Sequence, residues 1–447
     1  MALKGAKYLA LVEAIERDVV SGRLSFGDRL PPHRELSALF GVTIATITKA
    51  IAEAGRRGLV TTQTGRGTFV SARPGLGVEP SLVELGMNVL PPGLVSDVIA
   101  DAVVMATRES VDDMFGYGSY TDDKSSFAAC RDWLAKRGVI RQGADSVQLP
   151  THGVQQGLLA AISSCSQAGQ TILVEEYAYT GALRAARLLG LQPVGLAMDA
   201  EGVRPDALDR ALTEYDARIV VITPSVQNPT GRSMGTARRE EIARVLGRHE
   251  ALLVEDAVNM PLVEDSPPPV ADFAPDRTIL LTGFSKCVAS GVRLGVASIP
   301  PALYGRFHDA LITLGWMAPR FFIGLTARLV ESGGLDICVA RNRAEAAARQ
   351  ATARRILDGR FHDHDAVAYH LWIVLPEGWT ADMLVREALL QGVHLTSSAH
   401  FCPENVPVPA AIRICLGAEA DATSVEQGLR KLERILHDQP PFGAPVF

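Results

Sequence analysis

The 447-residue sequence has few cysteines, no long polar run and no long apolar run. No stretch approaches the ~18 apolar residues of a transmembrane helix, and residues 1–4 lead into an amphipathic pattern rather than a signal peptide. We therefore expect a cytoplasmic protein. The six cysteines have neither metal-ligand nor disulfide spacing, so we expect reduced, mostly buried thiols and no metal site. They are Cys130, Cys165, Cys287, Cys338, Cys402 and Cys415.

Composition and charge divide the chain unevenly. Hydrophobic residues make up 47% and charged residues 21%, which allows a large core. At ~100–200 residues per domain, two or three domains are expected. The net charge is −6, yet residues 1–75 hold 11 Lys and Arg against 6 Asp and Glu. This basic N-terminal part favours contact with a polyanion.

A lysine and an arginine follow an apolar, strand-like run at residues 278–281. A partly desolvated lysine near other cations has a lowered pKa and forms a Schiff base with an aldehyde. Arginine suits a phosphate dianion. Lys286, with Arg293 seven residues on, therefore points to pyridoxal 5'-phosphate.

Three upstream stretches supply other groups that this cofactor needs. Asn228 follows the strand-like run 219–222, where its amide can bond the ring hydroxyl. Asp256 ends another strand, where a carboxylate can keep a pyridinium nitrogen protonated. The amides of Val154 and Gln155 open a helical run and can receive a phosphate.

These motifs resemble the fold-type-I aminotransferases from about residue 88 to 413. The resemblance implies that Lys286 forms the Schiff base. It also implies that Asp256 pairs with the ring nitrogen, that Asn228 contacts the ring oxygen, and that Arg293 with the amides of Val154 and Gln155 binds the phosphate. Tyr179 matches the aromatic that stacks on the ring, and Ser285 lies beside the lysine at the cofactor. Tyr117 corresponds to a tyrosine that reaches the neighbouring subunit's phosphate, although an ordinary core tyrosine is an equal alternative. Arg413 matches the clamp for a substrate carboxylate, the alternative being an internal salt bridge.

Alternating strand-like and helical stretches from 148 to 300 predict a mostly parallel α/β sheet with the ligand at the carboxyl ends of its strands. The predicted strands are 171–174, 193–196, 219–222, 251–254, 278–281 and 296–299. A smaller α+β part follows, with strands 366–375, 393–396 and 411–415. The basic residues between 341 and 355 favour a solvated helix face over a second DNA site.

The first seventy residues predict a winged helix-turn-helix. Helical patterns cover residues 8–20, 33–40 and about 43–56, with Gly41 as the turn and Thr43 as an N-cap. Two strands follow around a glycine-containing tip. Residues 6–71 resemble the GntR family of regulators, which implies that the second helix of the turn enters the major groove. The alternative is a small helical domain used for dimerisation.

That resemblance places seven residues on DNA. Arg34, Thr43, Thr46 and Thr48 face the duplex, while Thr64, Gly65 and Arg66 form the wing tip at the minor groove. The family usually has an arginine where this sequence has Ile44, and an apolar contact to a thymine methyl is a possible substitute.

A winged helix ahead of an aminotransferase-like domain is the arrangement of MocR regulators, a subfamily of GntR. We expect a DNA-binding domain at 1–72, a linker at 73–84 and a cofactor domain at 85–447, with a large part near 100–310 and a small part near 330–438. The resemblance implies a homodimer with head-to-tail domain exchange.

The resemblance also implies binding to operator DNA that responds to an amine or amino-acid effector, or to the cofactor, through the Lys286 imine. The alternative is a working aminotransferase with an autoregulatory DNA-binding head. Val258 and Asn259 stand where aminotransferases carry a tyrosine beside the ring hydroxyl, which favours the regulator.

Overall fold

The computed structural model describes most of the chain and divides it into two compact units, residues 1–82 and 83–447. The described residues are 7–20, 24, 28–56, 59–63, 67–70, 82–108, 114–116, 124–141, 143, 146–357, 360 and 367–437. Among these residues, no single helix is long and apolar enough to cross a membrane. Two pairs of consecutive helices meet the length and composition criteria when each pair is taken together, but both pairs are sharply bent.

The N-terminal unit contains three helices and a two-stranded ribbon. The helices are α1 (Lys7–Val20), α2 (His33–Phe40) and α3 (Ile44–Arg56). The antiparallel strands are β1 (Val60–Gln63) and β2 (Gly67–Val70). Helix α2 ends at Gly41, whose φ of +61° suits a residue without a side chain. The predicted helix-turn-helix and its ribbon are therefore present.

A compact apolar core holds these helices together. The buried side chains recur at helical spacing on α1 and α3, so one face of each helix points inward. Val12, Ile47, Ala50 and Ala54 are almost fully buried, and Leu30 and Val70 close the core from the loop and the ribbon. The opposite face of α3 is left to solvent.

A seven-stranded, mostly parallel sheet forms the centre of the second unit, as predicted. Its order is β4-β12-β11-β10-β9-β5-β6. Strand β12 runs antiparallel to both of its neighbours. Strand β4, which contains Pro150, was not predicted; it lies at the sheet edge, where proline is tolerated. The strands are β4 (Val147–Thr151), β5 (Thr171–Glu175), β6 (Gln192–Leu196), β9 (Ile219–Ile222), β10 (Leu252–Asp256), β11 (Thr278–Gly283) and β12 (Gly295–Ile299).

Helices cover both faces of this sheet, and two short strands, β7 (Met198–Asp199) and β8 (Gly202–Val203), pair beside it. The sheet is apolar on both faces: β9 and β11 are buried along their whole length. The helices are α4 (Ser96–Thr107), α5 (Lys124–Lys136), α6 (Gly153–Cys165), α7 (Thr180–Leu188), α8 (Pro205–Glu214), α9 (Thr236–His249), α10 (Tyr304–Gly315), α11 (Arg320–Glu331) and α12 (Gly334–Ile356).

The C-terminal part contains a three-stranded antiparallel sheet, a short parallel pair and two helices. The sheet order is β13 (His370–Val374), β16 (Ala411–Cys415) and β15 (Thr396–Ser397). Strand β14 (Val393–His394) pairs with β3 (Val83–Glu84), which brings the start of this unit against its end. The helices are α13 (Ala381–Leu390) and α14 (Ala422–His437).

The basic residues of α12 do not form a uniformly solvated face. Arg349 is 3% exposed and donates to the carbonyl oxygens of Leu416, Glu419 and Ala420. Arg343 forms an ion pair with Glu264. The solvated interpretation was wrong for Arg349, because the carbonyls that surround it come from a distant loop.

Candidate functional site

Ten residues predicted to contact cofactor or effector line one cavity of about 630 Å³. The cavity lies at the carboxyl ends of β9, β10 and β11, where a doubly wound sheet binds its ligands. These residues are Val154, Gln155, Tyr179, Asn228, Asp256, Asn259, Ser285, Lys286, Arg293 and Arg413. The fold thus brings together positions up to 259 residues apart.

Lys286 lies just beyond the end of β11, and its ammonium donates to the carbonyl oxygen of Asn88. Burial lowers the pKa of Lys286 to about 8, and the charges of Arg413 and Arg293 act in the same direction, against Cys415 and Asp256. A large fraction of this amine is therefore neutral near pH 8. A neutral amine is the form that attacks an aldehyde carbon.

Asp256 ends β10 one strand away from the lysine. Burial raises its pKa to about 6, while the Val258 backbone N–H, which donates to Oδ1 at 3.0 Å, and the Lys286 charge oppose that rise. The carboxylate is therefore mostly ionised at neutral pH, in a buried place where a partner cation would be strongly held. A protonated ring nitrogen is such a partner.

Arg293, Ser285 and the start of α6 together form an anion cradle. A side chain on Gly153, whose φ is +69°, would lie 2.6 Å from Nη2 of Arg293, so the guanidinium lies directly against this backbone. Ser285 donates to the carbonyl oxygen of Val292 at 2.8 Å and also contacts Arg293. The first backbone N–H groups of a helix have no intrahelical acceptor, which suits a phosphate.

Tyr179 and Gln155 pack closely over Gly181 at the start of α7. A Cβ on Gly181 would lie 2.3 Å from the Tyr179 ring and 2.2 Å from Oε1 of Gln155. That Gln155 oxygen is buried without a hydrogen-bond partner, although its Nε2 donates to the carbonyl oxygen of Gly181 at 3.2 Å. The fit to a phosphorylated aromatic aldehyde comes from other groups of this cavity: the Lys286 amine, the Asp256 carboxylate, the Tyr179 ring and the Arg293 guanidinium.

Asn228 and Arg413 are joined directly. Nη1 of Arg413 donates to Oδ1 of Asn228 at 3.0 Å, and Nη2 donates to the carbonyl oxygen of Gly86 at 2.6 Å. The remaining nitrogen, Nε, is buried without a partner. Arg413 pairs with no carboxylate among the described residues, so the internal salt bridge considered from the sequence is not seen there.

Asn259 lines the cavity, and one of the two N–H groups of its amide is already bonded. Its Nδ2 donates to the backbone oxygen of Val226 at 2.9 Å, and the side chain is 7% exposed. The side chain of Val258, the preceding residue, has no polar group. The position that carries a tyrosine in aminotransferases therefore has no phenol here, and the second N–H of the Asn259 amide is the side-chain donor left there.

Sequence reasoning missed a hydrogen-bonded chain that supports the site. Glu175 accepts from Nε2 of Gln227 at 2.9 Å, and the Gln227 carbonyl contacts Nε2 of His370 at 2.9 Å. Nδ1 of His370 lies 3.2 Å from Nδ2 of Asn88, whose carbonyl accepts from Lys286. Burial raises the pKa of Glu175 to about 8, so the carboxyl is largely protonated at neutral pH. No local sequence signal connects residues this far apart.

Two cavity residues near the mouth were also not predicted. His394 contacts Glu84 at 2.8 Å, and Arg184 projects from α7. Burial and the Arg293 charge lower the pKa of nearby His152, so that imidazole is neutral. Arg184, Arg293, Arg413 and Lys286 bring positive charge to the lining of the cavity.

The predicted DNA contacts lie on α2 and the first half of α3. Arg34 and Thr48 are exposed. Thr43 caps α3, accepting from the Thr46 backbone N–H at 3.3 Å and contacting its hydroxyl at 2.9 Å. The wing tip Thr64, Gly65 and Arg66, and also Tyr117, lie outside the described residues.

Fold and site together define an HTH-type transcriptional regulator with an aminotransferase-like domain. Residues 7–70 match the bacterial regulatory proteins of the gntR family, and residues 80–432 match aminotransferase class I and II. The chain belongs to the aminotransferase class I and II family, whose domains typically bind pyridoxal phosphate, with a GntR DNA-binding domain ahead of it in the MocR arrangement.

Two similar curated proteins are HTH-type transcriptional regulators. The HTH-type transcriptional regulator YdeF of Bacillus subtilis is 26% identical over 439 residues, covering 96% of this chain and 94% of the relative. The HTH-type pyridoxine biosynthesis transcriptional regulator PdxR of Corynebacterium glutamicum is 29% identical over 322 residues, or 65% of each chain. The predicted regulator class is confirmed.

Solved aminotransferases share the fold of the second unit. A kynurenine aminotransferase of Pyrococcus horikoshii superposes with a TM-score of 0.73 at 21% identity, over 80% of this chain and 91% of that one. A multiple substrate aminotransferase of Thermococcus profundus gives 0.72 at 21% identity, with the same coverage. The predicted fold class is confirmed.

Proposed function

We propose that this regulator binds pyridoxal 5'-phosphate covalently at Lys286 and that an amine or amino-acid effector changes its affinity for operator DNA. One observation carries the proposal: the partly neutral amine of Lys286, the carboxylate of Asp256 and the cradle at Arg293 line a single cavity. The name of PdxR, which refers to pyridoxine biosynthesis, agrees with a vitamin-derived ligand.

Each protein group has one task in this proposal. When bound, the cofactor supplies an electrophilic aldehyde carbon, to which one amine can add in place of another. Asp256 holds the ring nitrogen protonated, and Tyr179 stacks on the ring. Arg293, Ser285 and the first amides of α6, at Val154 and Gln155, hold the phosphate. Lys286 would provide the amine that joins the aldehyde, and as a free ammonium it donates a hydrogen bond to the backbone oxygen of Asn88.

Asn228 and Arg413 determine which ligands the cavity accepts. Nδ2 of Asn228 contacts the ring oxygen, since its Oδ1 already accepts from Arg413. Nε of Arg413 has no partner and is placed to take an effector carboxylate. An amino acid would thereby release Lys286 and occupy Arg413 in the same event.

An effector changes operator affinity only by the difference in its affinity for the two conformers of the protein. Release of Lys286 would supply such a difference in affinity, because the protein would then hold a free lysine side chain instead of a covalent bond between Lys286 and the cofactor. A head-to-tail homodimer would present two DNA-binding units and set the half-site spacing.

The experiment measures visible absorbance, operator binding and turnover on the same cofactor-loaded protein. We expect amino acids to change the absorbance and the operator affinity without sustained product formation. Lys286→Ala should lose the lysine-dependent absorbance and the response to amines while keeping operator binding. Lys431→Ala, which removes a half-buried lysine of α14 outside the cavity, is the matched control and should behave as wild type.

Two results would count against the proposal. Unchanged absorbance in Lys286→Ala would assign the cofactor to another lysine. Turnover at ordinary enzyme rates of ~1–10³ per second would favour the aminotransferase. The partly engaged amide of Asn259 and the apolar Val258 argue against that rate.

A further inference from the structure

The exposed start of α3 presents an apolar surface. Ile44, the first residue of α3, is 48% exposed, and Ala45 beside it is also exposed. Burial of Ile47 and Ala50 turns the other face of the helix inward. In a helix-turn-helix, the N-terminal residues of the second helix contact base edges in the major groove. Ile44 is therefore among the residues at the position where sequence is read.

The threonines around Ile44 have few hydroxyl protons left to donate. The hydroxyls of Thr43 and Thr46 are 2.9 Å apart and share one of their two protons. Thr43 also accepts from the Thr46 backbone N–H. Thr48 donates its proton to the carbonyl oxygen of Ile44 at 3.0 Å and lies 3.2 Å from Nδ1 of His33. One hydroxyl proton thus remains free among three threonines.

We infer that Ile44 reads thymine through its 5-methyl group. In the major groove thymine alone among the bases presents a methyl group, whereas the other base edges present donors and acceptors. An isoleucine placed against those polar groups would remove water from them without offering a hydrogen bond. When Ile44 contacts a thymine methyl, the apolar surfaces of both groups are removed from water, which is favourable. The inference depends on the DNA-binding half of the proposed function and not on the lysine.

The test begins with an operator selected by the full-length protein from random duplex DNA. Each thymine of the selected half-site is then replaced by deoxyuridine, which removes the methyl group alone, and affinity is measured at one fixed salt concentration. We expect one or two thymines per half-site where this replacement weakens binding about three- to tenfold.

Variants of Ile44 assign that effect to the side chain. Ile44→Ala should remove most of the difference between thymine and deoxyuridine, and alanine at an exposed helical position keeps the helix intact. Ile44→Arg should shift the selected base towards guanine, which arginine contacts bidentately. Leu39→Ala, at a 73% exposed position on α2, is the matched control and should leave the deoxyuridine profile unchanged.

Three outcomes would overturn the inference. One is a selected operator with no thymine sensitive to loss of its methyl; another is a sensitivity that persists unchanged in Ile44→Ala. Failure to select any sequence would overturn it together with the DNA-binding half of the proposed function. An operator that keeps its methyl sensitivity but ignores cofactor and amines would leave the inference standing and refute the effector response.

Discussion

Nη1 of Arg413 lies 3.0 Å from Oδ1 of Asn228 and joins the small C-terminal sheet to the loop that follows β9 of the large sheet. Phe401 packs against the same guanidinium, 4.8 Å from its ring centroid to the guanidinium carbon. This bond fixes the orientation of the Asn228 amide, because the oxygen is committed to arginine. The proposed ring contact and the proposed carboxylate clamp are therefore one unit.

Replacing Arg413 should abolish discrimination between amino acids and simple amines. In Arg413→Gln we expect cofactor binding to persist, while the apparent affinity for an amino acid falls at least about tenfold, consistent with a charge-assisted hydrogen bond of ~1.5–3 kcal/mol. The decarboxylated amine of the same side chain serves as the internal control, and its affinity should change little. Equal losses for both compounds would show that Arg413 supports the fold of the site rather than the carboxylate.

Cofactor addition should follow the protonation of Lys286. The pKa near 8 means that ammonium dominates below that pH and cannot attack, so the rate should rise about tenfold per pH unit up to ~8 and then level. Stopped-flow absorbance between pH 6 and 10 measures this profile. In Arg413→Gln the midpoint should move to higher pH, because one of the charges that lower the pKa is gone. A wild-type rate that climbs steadily to pH ~10 would mean an ordinary exposed lysine.

A side chain at Gly153 should weaken binding of the phosphate in particular. Its Cβ would lie 2.6 Å from Nη2 of Arg293, so Gly153→Ala displaces that guanidinium. We expect the affinity for pyridoxal 5'-phosphate to fall about tenfold and the affinity for unphosphorylated pyridoxal to stay the same, because a charged hydrogen bond of ~1.5–3 kcal/mol is lost.

Gly169→Ala is the control for the backbone strain that an alanine would introduce at Gly153. Gly169 has φ +88°, and no heavy atom lies within 4 Å of the Cβ it would gain, so it carries the strain without the collision. Its cofactor affinities should match wild type. If Gly153→Ala lowered the affinity for both aldehydes equally, the cradle assignment would be refuted.

Arg34 should contribute to operator binding because it is exposed on α2, next to α3. Arg34→Ala should weaken binding by ~1–3 kcal/mol if the side chain reads a base, or lower the salt dependence by about one unit if it contacts phosphate. Gel-shift titrations at several salt concentrations separate these cases. Arg434→Ala removes an equal charge from α14 and should change neither quantity. Identical behaviour of the two variants would refute the predicted placement.

The chemistry of the site was predictable because its residues stand beside local signals. Asn228, Asp256 and Lys286 each follow an apolar run that forms a strand, and parallel strands bring their carboxyl ends to one edge of the sheet. Gly41 and Thr43 similarly mark the turn and the cap of the helix-turn-helix. Strand periodicity and helix punctuation depend on neighbours in sequence, which is why the fold was predictable, whereas the regulator class came from the resemblance to known families.

Long-range contacts were beyond local reasoning and were decided by tertiary packing. Arg349 looks like one of several solvated arginines, but the loop at residues 416–420 folds over it and supplies carbonyl acceptors. Asn88 reaches Lys286 across 198 positions, and Asn259 donates one amide N–H to the backbone oxygen of Val226. A buried polar group must find whichever partner the folded chain brings to it. The sequence by itself determined which chemical groups reach the cavity, and the tertiary structure decided which of them remain free to act.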